Sequence, residues 1–128
     1  MSYYFTKTLD MPFDAAVAHV TEALAAKGFG VLTTIDVKAT MKKKLDVDFK
    51  PYTILGACNP KLALSALQAE DKIGTMLPCN VIVTETAPGK VEVAAVDPVA
   101  SMSAIQNPAL GEVAGKVRQM LSDAVDGL

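Results

Sequence analysis

Two cysteine–asparagine pairs carry most of the chemistry this chain could do: Cys58-Asn59, followed by Pro60, and Cys79-Asn80, preceded by Pro78. A thiolate is both the nucleophilic and the metal-binding form of cysteine. Asn followed by Pro is the pattern of a helix N-cap and first helical position. Cys58 therefore precedes a helix start, where unpaired N–H groups carry partial positive charge and favour a thiolate. The bland alternative is that each Cys is a small buried hydrophobe. The Asn59 and Asn80 carboxamides, with the Asp97 carboxylate, could line a polar pocket; each also suits an ordinary cap or turn. Whether the thiols meet depends on topology. If their strands are antiparallel, the end of one lies beside the start of the other. If parallel, the two positions lie at opposite sheet ends, beyond the roughly 7 Å Cα separation a disulfide needs.

Other reactive groups are few. Paired thiolates near Met76 or Met102 would suit a soft ion such as Cu(I). Structural zinc wants four Cys or His ligands, and the chain has two Cys and one His, so no metal and no cofactor are expected. His19 is the sole imidazole, so any Ser-His-Asp or Cys-His system would have to use it; its helical position points away from the apolar stripe, which makes it an exposed residue. Gly28-Phe29-Gly30 lacks the third glycine of a phosphate-binding turn and follows a helix rather than a strand. Lys61 sits in a first helical turn against the dipole, as an anion site or as a lone exposed lysine. Arg118 is the only arginine, which excludes a multi-arginine phosphate clamp.

Composition bounds the class. With 128 residues, 51% of them apolar, and a net charge of −2, the chain suits one compact domain, residues 1–128, rather than a disordered segment. No window reaches the roughly 18 consecutive apolar residues of a membrane span. The first residues lack a signal-peptide order, so the expected location is cytoplasmic. The charge argues against nucleic acid, and four Phe, three Tyr and no Trp argue against an aromatic stacking platform or a broad aromatic cage. Lys38, Lys42, Lys43, Lys44 and Lys50 cluster among Asp36, Asp46 and Asp48, as a solvated segment or an anion-attracting patch.

Periodicity supplies the elements that must position these groups. Tyr3 to Leu9 reads as a strand. A helix follows from Pro12, with Phe13, Val17, Val20 and Leu24 on one stripe and Lys27-Gly28 as its stop. Residues 31–38 alternate as a strand, and residues 40–45 can form one or two helical turns. Residues 51–58 form a strand, and residues 60–69 a helix capped by Asn59. A loop around Gly74 leads to strands 80–85 and 90–96, joined as an antiparallel hairpin with a four-residue loop. Asp97-Pro98 ends that hairpin, a short helical turn runs through Met102, and a last helix runs from Pro108 to about Val125. Leu110, Val113, Val117 and Leu121 give that helix its buried stripe, with Arg118 facing water. Alanine falls mainly on the three helices, as helix propensity and close packing require. The order β-α-β-β-α-β-β-α predicts an α+β fold: a mainly antiparallel five-stranded sheet with helices packed on one face. Leu32, Leu55, Ile82 and Val96 are candidates for the second face, to be covered by a helix or by a dimer partner.

The pentads Gly56-Ala57-Cys58-Asn59-Pro60 and Leu77-Pro78-Cys79-Asn80-Val81, some twenty residues apart, resemble the prokaryotic family catalogued as domain of unknown function 302. Gly28 to Leu32, Ile35-Asp36-Val37 with Lys44-Leu45, and Val96-Asp97-Pro98 agree with it. The resemblance implies an α+β unit and a homodimer. It brings no reaction, ligand or catalytic residue.

The reading that follows is a homodimeric, non-enzymatic small-ligand or partner-binding module, with its site around Cys58, Asn59, Cys79, Asn80 and Asp97. The alternative is a thiol-dependent redox or sulfur-transfer protein using Cys58 and Cys79.

Overall fold

The computed structural model describes residues 2–128. The five strands are β1 (Tyr4–Asp10), β2 (Gly30–Asp36), β3 (Tyr52–Cys58), β4 (Cys79–Ala87) and β5 (Lys90–Val96). They form one sheet in the order β1-β5-β4-β3-β2, and every neighbouring pair is antiparallel. The helices are α1 (Phe13–Ala26), α2 (Val37–Leu45), α3 (Pro60–Ala69), α4 (Pro98–Ser101) and α5 (Pro108–Asp126). The predicted α+β class and five-stranded antiparallel sheet stand. Two additions refine the predicted order. A full helix, α2, separates β2 from β3, and a 3-10 segment, Asp71–Met76, fills the expected loop around Gly74.

The helix starts follow their sequence signals. Asn59 Oδ1 accepts the Leu62 N–H at 3.2 Å, and Asn107 Oδ1 accepts those of Ala109 and Leu110. Each cap is followed by proline in the first turn, where a missing N–H costs nothing. The β4–β5 turn is tighter than predicted: Ala87 pairs with Lys90, leaving Pro88 and Gly89 as the turn, and a bulge lies between Glu85 and Ala87. Gly89 has φ +76°, a backbone conformation that glycine adopts without steric cost.

Alternation along the strands sorts side chains into two faces. Leu55, Val81 and Ala95 are cross-strand neighbours on the face under α1 and α5. Leu55 therefore belongs to the core, not to the second face where it was a candidate. A smaller cluster, with Ala66, Ile73, Met102 and Leu110, lies where α3 meets α5. Among the described residues the opposite face has no helix over its centre. There Ile35, Ile54, Ile82 and Ala94 run in a cross-strand row. Among the described residues no helix is long and apolar enough to cross a membrane.

One segment stands apart. β2 is an edge strand whose residues are exposed except half-buried Val31, and α2 buries no residue at all. Its own ends hold it: Asp36 accepts the Ala39 N–H at 2.9 Å, Asp46 closes the last turn at φ 53°, and three lysines sit at the negative end of the dipole.

Candidate functional site

The antiparallel register answers the topological question. β2 begins, β3 ends, β4 begins and β5 ends at one edge of the sheet, so all five candidate site residues gather there. The pleat then divides them. Cys79 pairs with Ala57 on the core face and is buried. Cys58, one residue beyond Ala57, faces the other way and is half-buried. Both thiols are free. Burial, and then the neighbouring Cys58, push the Cys79 thiol up from 9.0 to about 11. Such a thiol stays protonated at neutral pH and is a weak nucleophile. Among the described residues no group of three or more His, Cys, Asp or Glu is placed to hold a metal ion.

Asn59 is the cap of α3, and its Nδ2 lies 3.0 Å from where a side chain on Gly28 would begin; Gly28 also has φ +86°. Asp97 is 8% exposed and fully engaged. It accepts the N–H groups of Val99 and Ala100 at 3.0 and 3.4 Å, and Nε of Arg118 at 3.1 Å. Arg118 is an exposed residue, as its place on the last helix predicts, yet its guanidinium reaches this carboxylate and lies 5.2 Å from the Phe5 ring centroid. Both arrangements use the polar group to fasten the fold, because an acceptor that caps a helix is already satisfied. His19 is half-buried rather than exposed.

The space beneath these residues is too small for a ligand. An apolar gap of about 30 Å³ lies among Phe29, Cys79, Leu110 and Ala114, the scale of a single water. Room exists on the solvated face instead. A trough of about 360 Å³ is lined by Tyr3, Tyr4, Tyr52, Asn80, Ile82 and Glu92, and is floored by Ala94 and Val96. A second groove of about 370 Å³ continues from it past Met76, Pro78 and Ser101, sharing Asn80 and Val96. At its rim Gly56 is required: a Cβ there would lie 2.7 Å from Pro78 Cγ and closer still to Thr33 Oγ1. Of the five candidate residues, Asn80 is the only one that lines this trough. The three tyrosines and Glu92 were missed by sequence reasoning. Their signal was the alternation of Tyr52 with Ile54, and of Glu92 with Ala94, which places them on one face once the register is known.

Comparison with known proteins agrees with this architecture. The crystal structure of an uncharacterized conserved protein DUF302 from Bacillus stearothermophilus superposes with a TM-score of 0.89 at 27% identity, covering 98% of each chain. No match was found among the curated proteins. The family model described as domain of unknown function DUF302 matches residues 5–128. The chain therefore belongs to the DUF302 family.

Proposed function

We propose that the chain is a homodimeric, non-enzymatic binding module that carries its ligand site on the solvated sheet face, around Asn80, and works in the cytoplasm with both thiols reduced. One observation carries the dimer: the β2–α2 segment and the loop after it expose Leu32, Ile35, Leu45, Val47 and Phe49 at 39–67%. Nine residues are fewer than the roughly 12–15 an isolated helix needs in water. Forming it without fully burying a side chain costs entropy, opposed within one copy by the end caps, some contact with β3 and exposed ion pairs of small worth. The β2 edge also presents unpaired backbone groups, the usual template for a second strand. Charge favours a second copy as the occupant. Residues 36–50 hold five Lys against three Asp, while the rest of the chain holds seven Lys or Arg against eleven Asp or Glu. A two-fold interface lets each basic segment meet the acidic body of its partner.

Light scattering after size exclusion tests this. The expected mass is twice the 13.4 kDa of the chain, falling to one chain for Leu45→Asp combined with Val47→Asp, with an unchanged circular dichroism spectrum. A monomeric wild type at all concentrations sinks the dimer. The thiol-dependent alternative draws less support: Cys79 is buried and protonated at neutral pH, and the two side chains leave the sheet on opposite faces.

A further inference from the structure

The trough on the solvated face has a definite chemistry. All three tyrosines of the chain line it, together with one carboxylate, Glu92, and one carboxamide, Asn80. Among the described residues no Lys or Arg lines it, and none pairs with Glu92. The register sets the layout. Glu92 and Tyr52 flank Thr84 in one cross-strand row, Ala94 and Ile82 form the next, and Val96 with Tyr4 the one beyond. Ala94 is the small residue that makes the depression, and Ile82 and Val96 give it an apolar floor. Tyr3 and Tyr4 stack edge-on at 5.0 Å, forming an aromatic wall at one end. Phe49 lies 6.2 Å from Tyr52, centroid to centroid, supporting the other end.

We infer that this trough binds a small organic cation, with its ammonium group between Glu92 and the Tyr52 ring and its hydrocarbon part on Ile82, Ala94 and Val96, toward Tyr3 and Tyr4. The electron-rich faces of aromatic rings attract cations, most strongly where water is excluded. A carboxylate with no Lys or Arg beside it among the described residues supplies the matching charge. An anion of the same size meets one negative charge and, among the described lining residues, no positive one. The volume of about 360 Å³ lies at the small end of ordinary ligand pockets, which fits a monocation with one ring or a short chain. This inference rests on the binding-module reading and names the ligand class of that site.

The chain lacks Trp, so its tyrosine emission is unmasked and comes entirely from this trough. The test titrates the isotope-labelled full chain with benzyltrimethylammonium, and separately with benzenesulfonate, an anion of similar size. Tyrosine fluorescence and backbone amide shifts are the readouts. The cation is expected to shift the amides of Asn80, Ile82 and Ala94, and to bind at least about tenfold more tightly than the anion. Glu92→Gln keeps the shape and is expected to weaken the cation about fivefold or more while leaving the amide spectrum folded. Tyr52→Leu is expected to weaken it without changing the preference for positive charge. Equal binding of both probes, no shift at about 10 mM, or unchanged affinity in Glu92→Gln overturns the inference. A dimeric protein that ignores the cation refutes this ligand class alone; a monomer that binds it refutes the homodimer alone.

Discussion

The two faces of the sheet are built from alternate residues of the same strands, yet they obey different rules. On β4, Cys79, Val81 and Val83 turn inward and are buried, while Asn80 and Ile82 turn outward and keep contact with water. The inner face is fixed by exclusion of water, which needs only apolar residues of suitable size. The outer face has less of that demand: Thr84 and Ala94 are buried there, but Asn80, Ile82 and Glu92 are not. A polar residue or an exposed ring there costs little, so the tyrosines, Asn80 and Glu92 are free to serve a ligand. Binding groups collect where the fold does not need them.

The largest test sets neighbours on one strand against each other. Leu55 is 1% exposed on the core face, whereas Ile54 is half-buried on the other. Leu55→Ala is expected to destabilise by about 2–5 kcal/mol through lost burial and a cavity. Ile54→Ala should cost about 1 kcal/mol or less, because the outer face can rehydrate the space. Chemical denaturation reads both. Equal costs would mean that the outer face is covered as fully as the inner one.

The two thiols give a test of intermediate size. The folded chain holds the Cys79 proton more tightly than the unfolded chain, since its pKa is raised from 9.0 to about 11. The sign follows from linkage. Stability from this group is complete below pH 9, declines as pH rises through 9 to 11, and is gone above the folded value. The loss is on the order of 3 kcal/mol. Lysines and tyrosines also titrate in this window, so the measurement is the difference between wild type and Cys79→Ala across it, with the variant showing the shallower decline. At pH 8 iodoacetamide should label half-buried Cys58 well before Cys79. Matched labelling rates would break the assignment of one thiol to each face.

Much of this arrangement was legible in the sequence, and the limit has a physical cause. Asn59-Pro60, Asp97-Pro98 and Asn107-Pro108 marked helix starts because capping is a local interaction, complete within four residues. The alternation in Asn80–Glu85 and Lys90–Val96 marked strands for the same reason. What a site requires is the register between distant strands, and no local rule supplies it. Asp97 read as a cap or a pocket carboxylate; the cap is what forms, and its pairing with Arg118, twenty-one residues on, was beyond any local signal. The tyrosines went unread because Tyr4 and Tyr52 reach one trough only through the order β1-β5-β4-β3. Leu55 was offered to the wrong face since a shift of one residue reverses every side chain. The projecting α2 was read as one or two turns, its stabilising caps at Asp36 and Asp46 being less distinctive than an Asn-Pro pair.

The smallest effect separates two residues that look alike in sequence. Asn59 and Asn80 each follow a cysteine at the same edge of the sheet. Asn59 caps α3 and is half-buried against Gly28, so Asn59→Ala removes an acceptor from a helix N-terminus and is expected to cost about 1 kcal/mol. Asn80 lies opposite Gly56 with its side chain exposed, so Asn80→Ala should stay within about 0.5 kcal/mol of wild type. The ranking inverts for ligand: Asn80→Ala should weaken binding in the trough, and Asn59→Ala should leave it unchanged. A stability loss at Asn80 equal to that at Asn59 would make both asparagines structural, and the outer face would lose its claim to be free of the fold's demands.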